Sequence, residues 1–250
     1  MKANLTVNGF ESTVSYPDQM VKEIFRPLLD GLAEQYRKTG MRQIVFLAGP
    51  PAAGKSTMTL FLEQLGREEK VQALGLDGFH YPMEYLSTHS ILRDGETVLL
   101  KSIKGSPETY DTEGFGKLLR HIDVCRRTGE ALSMRWPGYD RNLHDVVPDQ
   151  YPITGNILLI EGNYLLLGES PWQELAGLAD TRIFIRMEED KLRQRLIARK
   201  VRGGMDPEKA ENWYHQTDER NIRRILEGSS GWDIEIDSSD NFQQRVTIPC

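Results

Sequence analysis

Residues 43–57, Gln-Ile-Val-Phe-Leu-Ala-Gly-Pro-Pro-Ala-Ala-Gly-Lys-Ser-Thr, decide the fold. Gln43 to Ala48 is a short apolar run with the pattern of a strand buried on both faces. It enters Gly49-Pro50-Pro51-Ala52-Ala53-Gly54-Lys55-Ser56, which satisfies G-x-x-x-x-G-K-[ST] throughout. A helical pattern leaves it, roughly from Lys55 to Gly66. The glycines let the backbone curl so that successive N–H groups point inward at phosphate oxygens. The positive end of the following helix adds to that field. Lys55 supplies a mobile charge for the β- and γ-phosphates, and the Ser56 hydroxyl is placed to ligate Mg²⁺. The expected nucleotide-binding set is Gly49, Pro50, Pro51, Ala52, Ala53, Gly54, Lys55, Ser56 and Thr57. A glycine-rich turn that merely joins a strand to a helix is the plainer reading, and the strand-loop-helix context weighs against it.

Working outward, the chain opens with a hairpin pattern. Leu5-Thr6-Val7 and Phe10 to Tyr16 flank Asn8-Gly9, a pair that favours the positive φ angles of a type I′ turn. Val21, Ile24, Phe25, Leu28, Leu29, Leu32 and Tyr36 recur at helical spacing, predicting a helix over about 17–37 that Pro27 interrupts. Downstream, a second strand ends near Leu76, a helix covers about 110–127, and Asn156 to Glu161 and Thr181 to Arg186 read as buried strands. Long helices follow at about 188–202 and 206–226, the second opened by Asp206 as N-cap and Pro207. Val246 to Ile248 is a candidate closing strand. Strands alternating with helices mean a parallel α/β architecture. The expected organisation is a hairpin-helix extension, 1–40, packed on a body, 41–250. The extension is expected either to cover the sheet or to help a homodimer form.

Composition narrows the function classes. There are 31 basic against 37 acidic side chains, a net charge of -6, opposite to that of a protein that coats nucleic acid. No apolar run approaches the roughly 18–20 residues that cross a bilayer. The N-terminal stretch lacks the apolar core of a signal peptide. Cys125 and Cys250 have neither metal-ligand spacing nor a disulfide framework, which fits two thiols in a reducing cytoplasm. The expectation is a cytoplasmic protein with no nucleic-acid or membrane partner.

Three further features carry charge to places where chemistry occurs. Asp77, in Leu76-Asp77-Gly78-Phe79-His80-Tyr81-Pro82, follows the second strand, and ligands of open parallel sheets sit beyond the carboxyl ends of strands. Two readings stand side by side: an Asp-Gly turn, or a carboxylate that takes the proton of an attacking hydroxyl. Glu161 ends the apolar run Leu158-Leu159-Ile160, either as a metal-holding carboxylate or as a charged strand terminus. Lys191, Arg195, Arg199 and Arg202 fall on one face of a basic helix, either a solvated face or a cationic cover for phosphates.

Several segments together resemble the family of uridine kinase, pantothenate kinase and phosphoribulokinase. They are the phosphate loop, Leu76 to Pro82, Lys104 to Phe115, Arg135 to Arg141 and Leu158 to Leu167. The similarity spans about 42–226 and is greatest to a bacterial branch described as nucleoside or fructose-transport-related kinases. The resemblance implies a three-layer α/β/α P-loop fold of the nucleoside-kinase-like type, with a mainly parallel five-stranded core and a helical lid near 188–205. It implies ATP and Mg²⁺ as cofactors and a small-molecule hydroxyl as substrate: a nucleoside, a sugar or a pantothenate-like compound. It gives Asp77 the role of catalytic base and accepts Glu161 beside Ser56 at the metal. It makes the basic helix the lid, with Arg199 and then Arg195 as the arginines on the transferring phosphoryl group. His80, Tyr81, Lys104, Tyr139 and Arg141 match acceptor-side segments, where packing is an equally good reading of each. Asp218 and Asn221 share a helix face with Tyr214 and are candidates for bracing the lid. The four tryptophans read as packing, and the adenine pocket has only a geographical placement, near 237–241. A P-loop hydrolase and a non-catalytic nucleotide-binding regulator are the competing functions.

Overall fold

The computed structural model describes residues 1–7, 9–239 and 246–247. The chain forms two compact units, 1–74 with 154–250, and 75–153. The sequence pattern had not separated the second unit from the body, because its strands are short and only half-buried.

In the first unit, β1 (Lys2–Val7) and β2 (Phe10–Ser15) pair antiparallel from Lys2↔Ser15 to Val7↔Phe10. Gly9 takes φ 82°, while Asn8 of the expected turn lies outside the described residues. The next helix is α1 (Asp18–Met20), a π-turn at Val21–Phe25, and α2 (Arg26–Thr39). The π-turn has a cause in the sequence. Pro27 has no N–H for the carbonyl four residues back, and the Arg26 N–H bonds the Val21 carbonyl, five back. Gly40 closes α2 in the left-handed conformation, φ 67°.

The central sheet has the order β12-β11-β10-β3-β9-β4. Its strands are β3 (Gln43–Ala48), β4 (Val71–Gly75), β9 (Ile157–Gly162), β10 (Thr181–Arg186), β11 (Ile234–Asp237) and β12 (Val246–Thr247). β4, β9, β3, β10 and β11 form the five-strand parallel core. β12 adds to the edge antiparallel. Ile248, expected at its end, lies outside the described residues, as does Cys250. All six residues of β3 are buried, so the strand that delivers the phosphate loop is the most enclosed of the sheet. α3 (Lys55–Leu65) leaves the loop. α6 (Trp172–Ala176), α7 (Glu189–Arg202), α8 (Pro207–Trp213), a π-turn at Tyr214–Asp218 and α9 (Glu219–Gly228) complete the unit. Asp206 caps α8, accepting from the N–H groups of Glu208 and Lys209.

The N-terminal segment belongs to the core of this unit. Tyr16, Met20, Phe25, Leu29 and Leu32 share one buried cluster with Val45, Leu47, Met58, Phe61, Leu159 and Ile183. Tyr16 sits between Phe25 and Phe61, ring centroids 5.1 and 4.5 Å away. Each such side chain contributes about 1.5–3 kcal/mol on burial. Residues 1–40 therefore help hold the sheet in place.

The second unit is built from short pieces. These are α4 (Met83–Thr88), the hairpin β5 (Ser90–Arg93) with β6 (Glu96–Leu99), α5 (Thr112–Thr128), and the hairpin β7 (Arg135–Asp140) with β8 (Asp145–Pro152). Trp136 is its buried centre, with Phe79 and Phe115 at 5.1 and 6.0 Å and its indole N–H donating to the Gly75 carbonyl at 2.8 Å. Among the described residues no helix is long and apolar enough to cross a membrane.

Candidate active site

The phosphate loop is held open by its glycines. A Cβ on Gly49, φ 153°, would stand 2.5 Å from the Ile185 carbonyl oxygen. Gly54, φ 97°, turns the chain into α3, and Ala52 takes a positive φ of 67° although it has a side chain. That local strain is the signature of a loop shaped for a ligand. Lys55 is buried and its ammonium donates to the Pro50 carbonyl at 2.9 Å. The Ser56 hydroxyl donates to Glu161 Oε1 at 2.7 Å. Sheet register makes that contact: Leu47 pairs with Glu161, so the end of β9 lies beside the start of the loop. The structure thus brings together Ser56 and Glu161, the two residues expected at a metal.

Arg195 of α7 reaches the loop, its Nη1 donating to the Ala52 carbonyl at 3.3 Å. Its charge also acts on Tyr16, whose phenol burial pushes above its ordinary pKa while Arg195 opposes the rise. Arg199, one turn further on, is exposed. Asp218 forms an ion pair with Lys200 of α7, both largely buried, so the proposed brace is an ion pair from the π-turn to the basic helix. Asn221 and Tyr214 are buried beside it in sequence. Gly204 takes φ 92° just past α7. The stretch guessed for adenine is in part visible: Ser238 is buried and its hydroxyl contacts the Ala53 carbonyl at 3.3 Å, while 240–241 lie outside the described residues. Of the tryptophans, Trp136 and Trp172 are buried and Trp232 stacks on Phe184 at 4.9 Å. Trp213 is 42% exposed and is not a packing residue.

The second unit gathers a different set around Asp77. Its carboxylate is half-exposed. Oδ1 accepts from the Tyr110 hydroxyl at 3.4 Å and lies 4.0 Å from His80 Nε2, and Oδ2 is 3.6 Å from the Arg141 guanidinium. The turn carrying Asp77 is clamped twice. Gly78 is pressed against the Pro137 carbonyl, where any Cβ would collide. Residues 79–81 bond to 109–111, Asp111 N–H to the Phe79 carbonyl at 2.7 Å and Tyr81 N–H to the Thr109 carbonyl at 3.0 Å. His80 is buried and stacks on Tyr110 at 3.8 Å. Burial lowers its pKa, against the Asp77 charge, which raises it.

Two predicted acceptor residues have protein partners in this structure. The Lys104 ammonium donates to the Tyr139 hydroxyl at 2.9 Å, the His144 carbonyl at 3.0 Å and Met83 Sδ at 3.1 Å. A lysine has three protons, and all three are engaged in tying this unit together. Tyr81 stacks on Tyr85 at 4.3 Å and packs on the small cluster of Leu86, Leu100 and Ile103. Tyr139 stands edge-on to His80, centroids 6.0 Å apart, and the Arg141 guanidinium lies beside the Asp77 carboxylate. Sequence reading missed Tyr110 and Thr109. It started the helix at Tyr110, whereas Asp111 is the N-cap, accepting from Gly114 N–H at 2.8 Å, which leaves Tyr110 extended and paired with His80. The Asp-x-x spacing before the helical pattern was the available signal.

No protein-family model matches the chain. A protein of Schizosaccharomyces pombe, provisionally named a uridine kinase, is 30% identical over 179 residues, 69% of this chain and 72% of that one. The chain belongs to the P-loop kinase family of uridine kinase, pantothenate kinase and phosphoribulokinase. The uncharacterized protein YggC of Escherichia coli is a full-length relative of this P-loop kinase, 35% identical over 252 positions, 99% of this chain and 100% of that one. Among solved structures, a protein of Silicibacter provisionally named a fructose transport system kinase matches the kinase with a TM-score of 0.71 and 26% identity, over 84% of this chain and 98% of that one.

Proposed function

We propose that the protein transfers the γ-phosphoryl group of ATP to a hydroxyl of a small metabolite, with Asp77 as the base. The observation that carries this reading is the Asp77 carboxylate. It is half-exposed, held by Tyr110 and Arg141, and lies two residues beyond Gly75, the last residue of β4. A carboxylate so held orients an acceptor hydroxyl and takes its proton as the oxygen attacks phosphorus. The loop amides and Lys55 grip the phosphates, Lys55 exchanging the Pro50 carbonyl for phosphate oxygens. Arg195 and its neighbours on α7 neutralise charge on the phosphoryl oxygens and keep water out, which separates a kinase from a hydrolase. Ser56 Oγ and Glu161 Oε1 are hard oxygens that fit Mg²⁺, which takes one or two protein oxygens with phosphates and water and offsets the charge of the transferring group.

The acceptor class is a nucleoside, a sugar or a pantothenate-like hydroxyl compound. The test is ATP turnover by the purified protein with Mg²⁺, with and without a library of those compounds, each product identified by mass. Acceptor-dependent phosphate ester is the expected result. Turnover equally fast without any acceptor would make the protein a hydrolase and overturn the reading.

A further inference from the structure

The environment of His80 fixes which of its nitrogens carries a proton. Nδ1 faces the Thr109 carbonyl at 3.2 Å and the Thr109 hydroxyl oxygen at 3.3 Å. The hydroxyl proton is already given to the Ser106 carbonyl at 2.7 Å, and the same oxygen accepts from Gly105 N–H at 3.2 Å. Nδ1 therefore meets two acceptors and must be the donor. In the neutral ring the bare lone pair is on Nε2, which lies 4.0 Å from Asp77 Oδ1. Burial lowers the pKa of His80 and the Lys104 charge acts in the same direction, while Asp77 and the Thr109 bond raise it. Burial is the largest influence, so the ring is neutral near pH 7.

Two acceptors thus face each other with no proton between them. The separation is too long for a hydrogen bond and short enough for one ligand edge to serve both. We propose that His80 Nε2 is a second acceptor for the substrate, so that the site selects an acceptor with two neighbouring O–H groups. One, the group phosphorylated, donates to Asp77. The other donates to His80. This rests on the reading of Asp77 as the base and adds the substrate class, a polyhydroxyl compound with adjacent hydroxyls. A substrate lacking the second donor forgoes the bond to Nε2, and a site built around such a bond disfavours the analogue that lacks it. His80 is a specificity residue in this account, and its stacking on Tyr110 holds the ring plane.

The test uses matched probes, cis-cyclopentane-1,2-diol against cyclopentanol and propane-1,2-diol against propan-1-ol, with wild type and His80→Asn. Asparagine keeps an N–H for the Thr109 carbonyl and removes the Nε2 acceptor. Wild type is expected to favour the diol of a pair by roughly tenfold or more in kcat/KM, the size of one hydrogen bond. The variant is expected to lose that preference, the ratio of kcat/KM between the two members of a pair falling toward one. A wild type without preference, or a variant that keeps it, overturns the proposal. Nitrogen-15 NMR of His80 gives a readout that needs no turnover. The Nδ1-protonated tautomer is expected at pH 7.5, with an Nε2 resonance that moves on adding propane-1,2-diol and not propan-1-ol. The opposite tautomer, or no diol-dependent shift, also overturns it. Failure of the base assignment looks different: Asp77→Asn would then leave transfer to every probe intact, whatever the His80 results.

Discussion

The two units of this kinase handle their chemistry with different construction. In the first, the side chains meant for phosphates rest on protein partners: Lys55 on Pro50, Ser56 on Glu161, Arg195 on Ala52. They hang from buried parallel strands and the helix that follows. In the second, Asp77, His80, Tyr110 and Arg141 converge from three separate stretches of short turns and hairpin ends, steadied by ring stacking and paired backbone. The contrast teaches that the phosphate side proposed above is organised around one contiguous loop, to which β9 and α7 each add a side chain. The acceptor side proposed above is made of scattered residues whose meeting is a matter of folding.

Substitutions that separate the two units break or sharpen that contrast. The largest effect is expected from Asp77→Asn, which should lower phosphoryl transfer by roughly 10²–10⁴-fold while nucleotide affinity, measured by titration calorimetry, is unchanged. Lys55→Ala should weaken both, and if it spares nucleotide binding the division of labour is wrong. Next is the core of the first unit. Phe25→Ala leaves a cavity against Tyr16 and Phe61 and should cost about 3–5 kcal/mol, read from the urea midpoint. A change well under that would mean that the N-terminal segment is a detachable cover. In the second unit, Gly78→Ala drives a methyl into the Pro137 carbonyl. About 1–3 kcal/mol of stability should be lost, with a fall in kcat as Asp77 is displaced. The smallest effect is one of pH. The pKa of His80 is lower in the folded chain than its unfolded value of about 6.5, so the unfolded chain binds the extra proton first. Stability should decline as pH falls from about 6.5 through the folded value, and His80→Asn should flatten that slope in thermal melts.

Legibility in the sequence followed the same division. Gly49 to Ser56, the buried strands at 43–48, 157–162 and 181–186 and the cap at Asp206 were readable, because each is a local pattern enforced by local physics. The π-turn before Pro27 was readable only as an interruption. Lys104 looked like a ligand group because a lysine in a loop shows its charge and hides its partners. Its three acceptors come from positions 83, 139 and 144. Tyr110 was hidden by a helix boundary misplaced by two residues, and Tyr81, named as an acceptor candidate with packing as the other reading, packs on Leu86, Leu100 and Ile103.

By itself, then, the sequence determined that this chain builds a parallel α/β sheet around a loop for nucleotide phosphates, since strand burial, glycine conformation and helix polarity act within a few residues. Tertiary structure alone decided that 75–153 forms its own unit, which side chains of the first 40 residues enter the core, and that His80 lies beside Asp77. The reason is that hydrogen-bond partners and burial depend on which distant segments meet. Thr109, which sets the proton on His80, stands 29 residues away in the chain and 3.2 Å away in space.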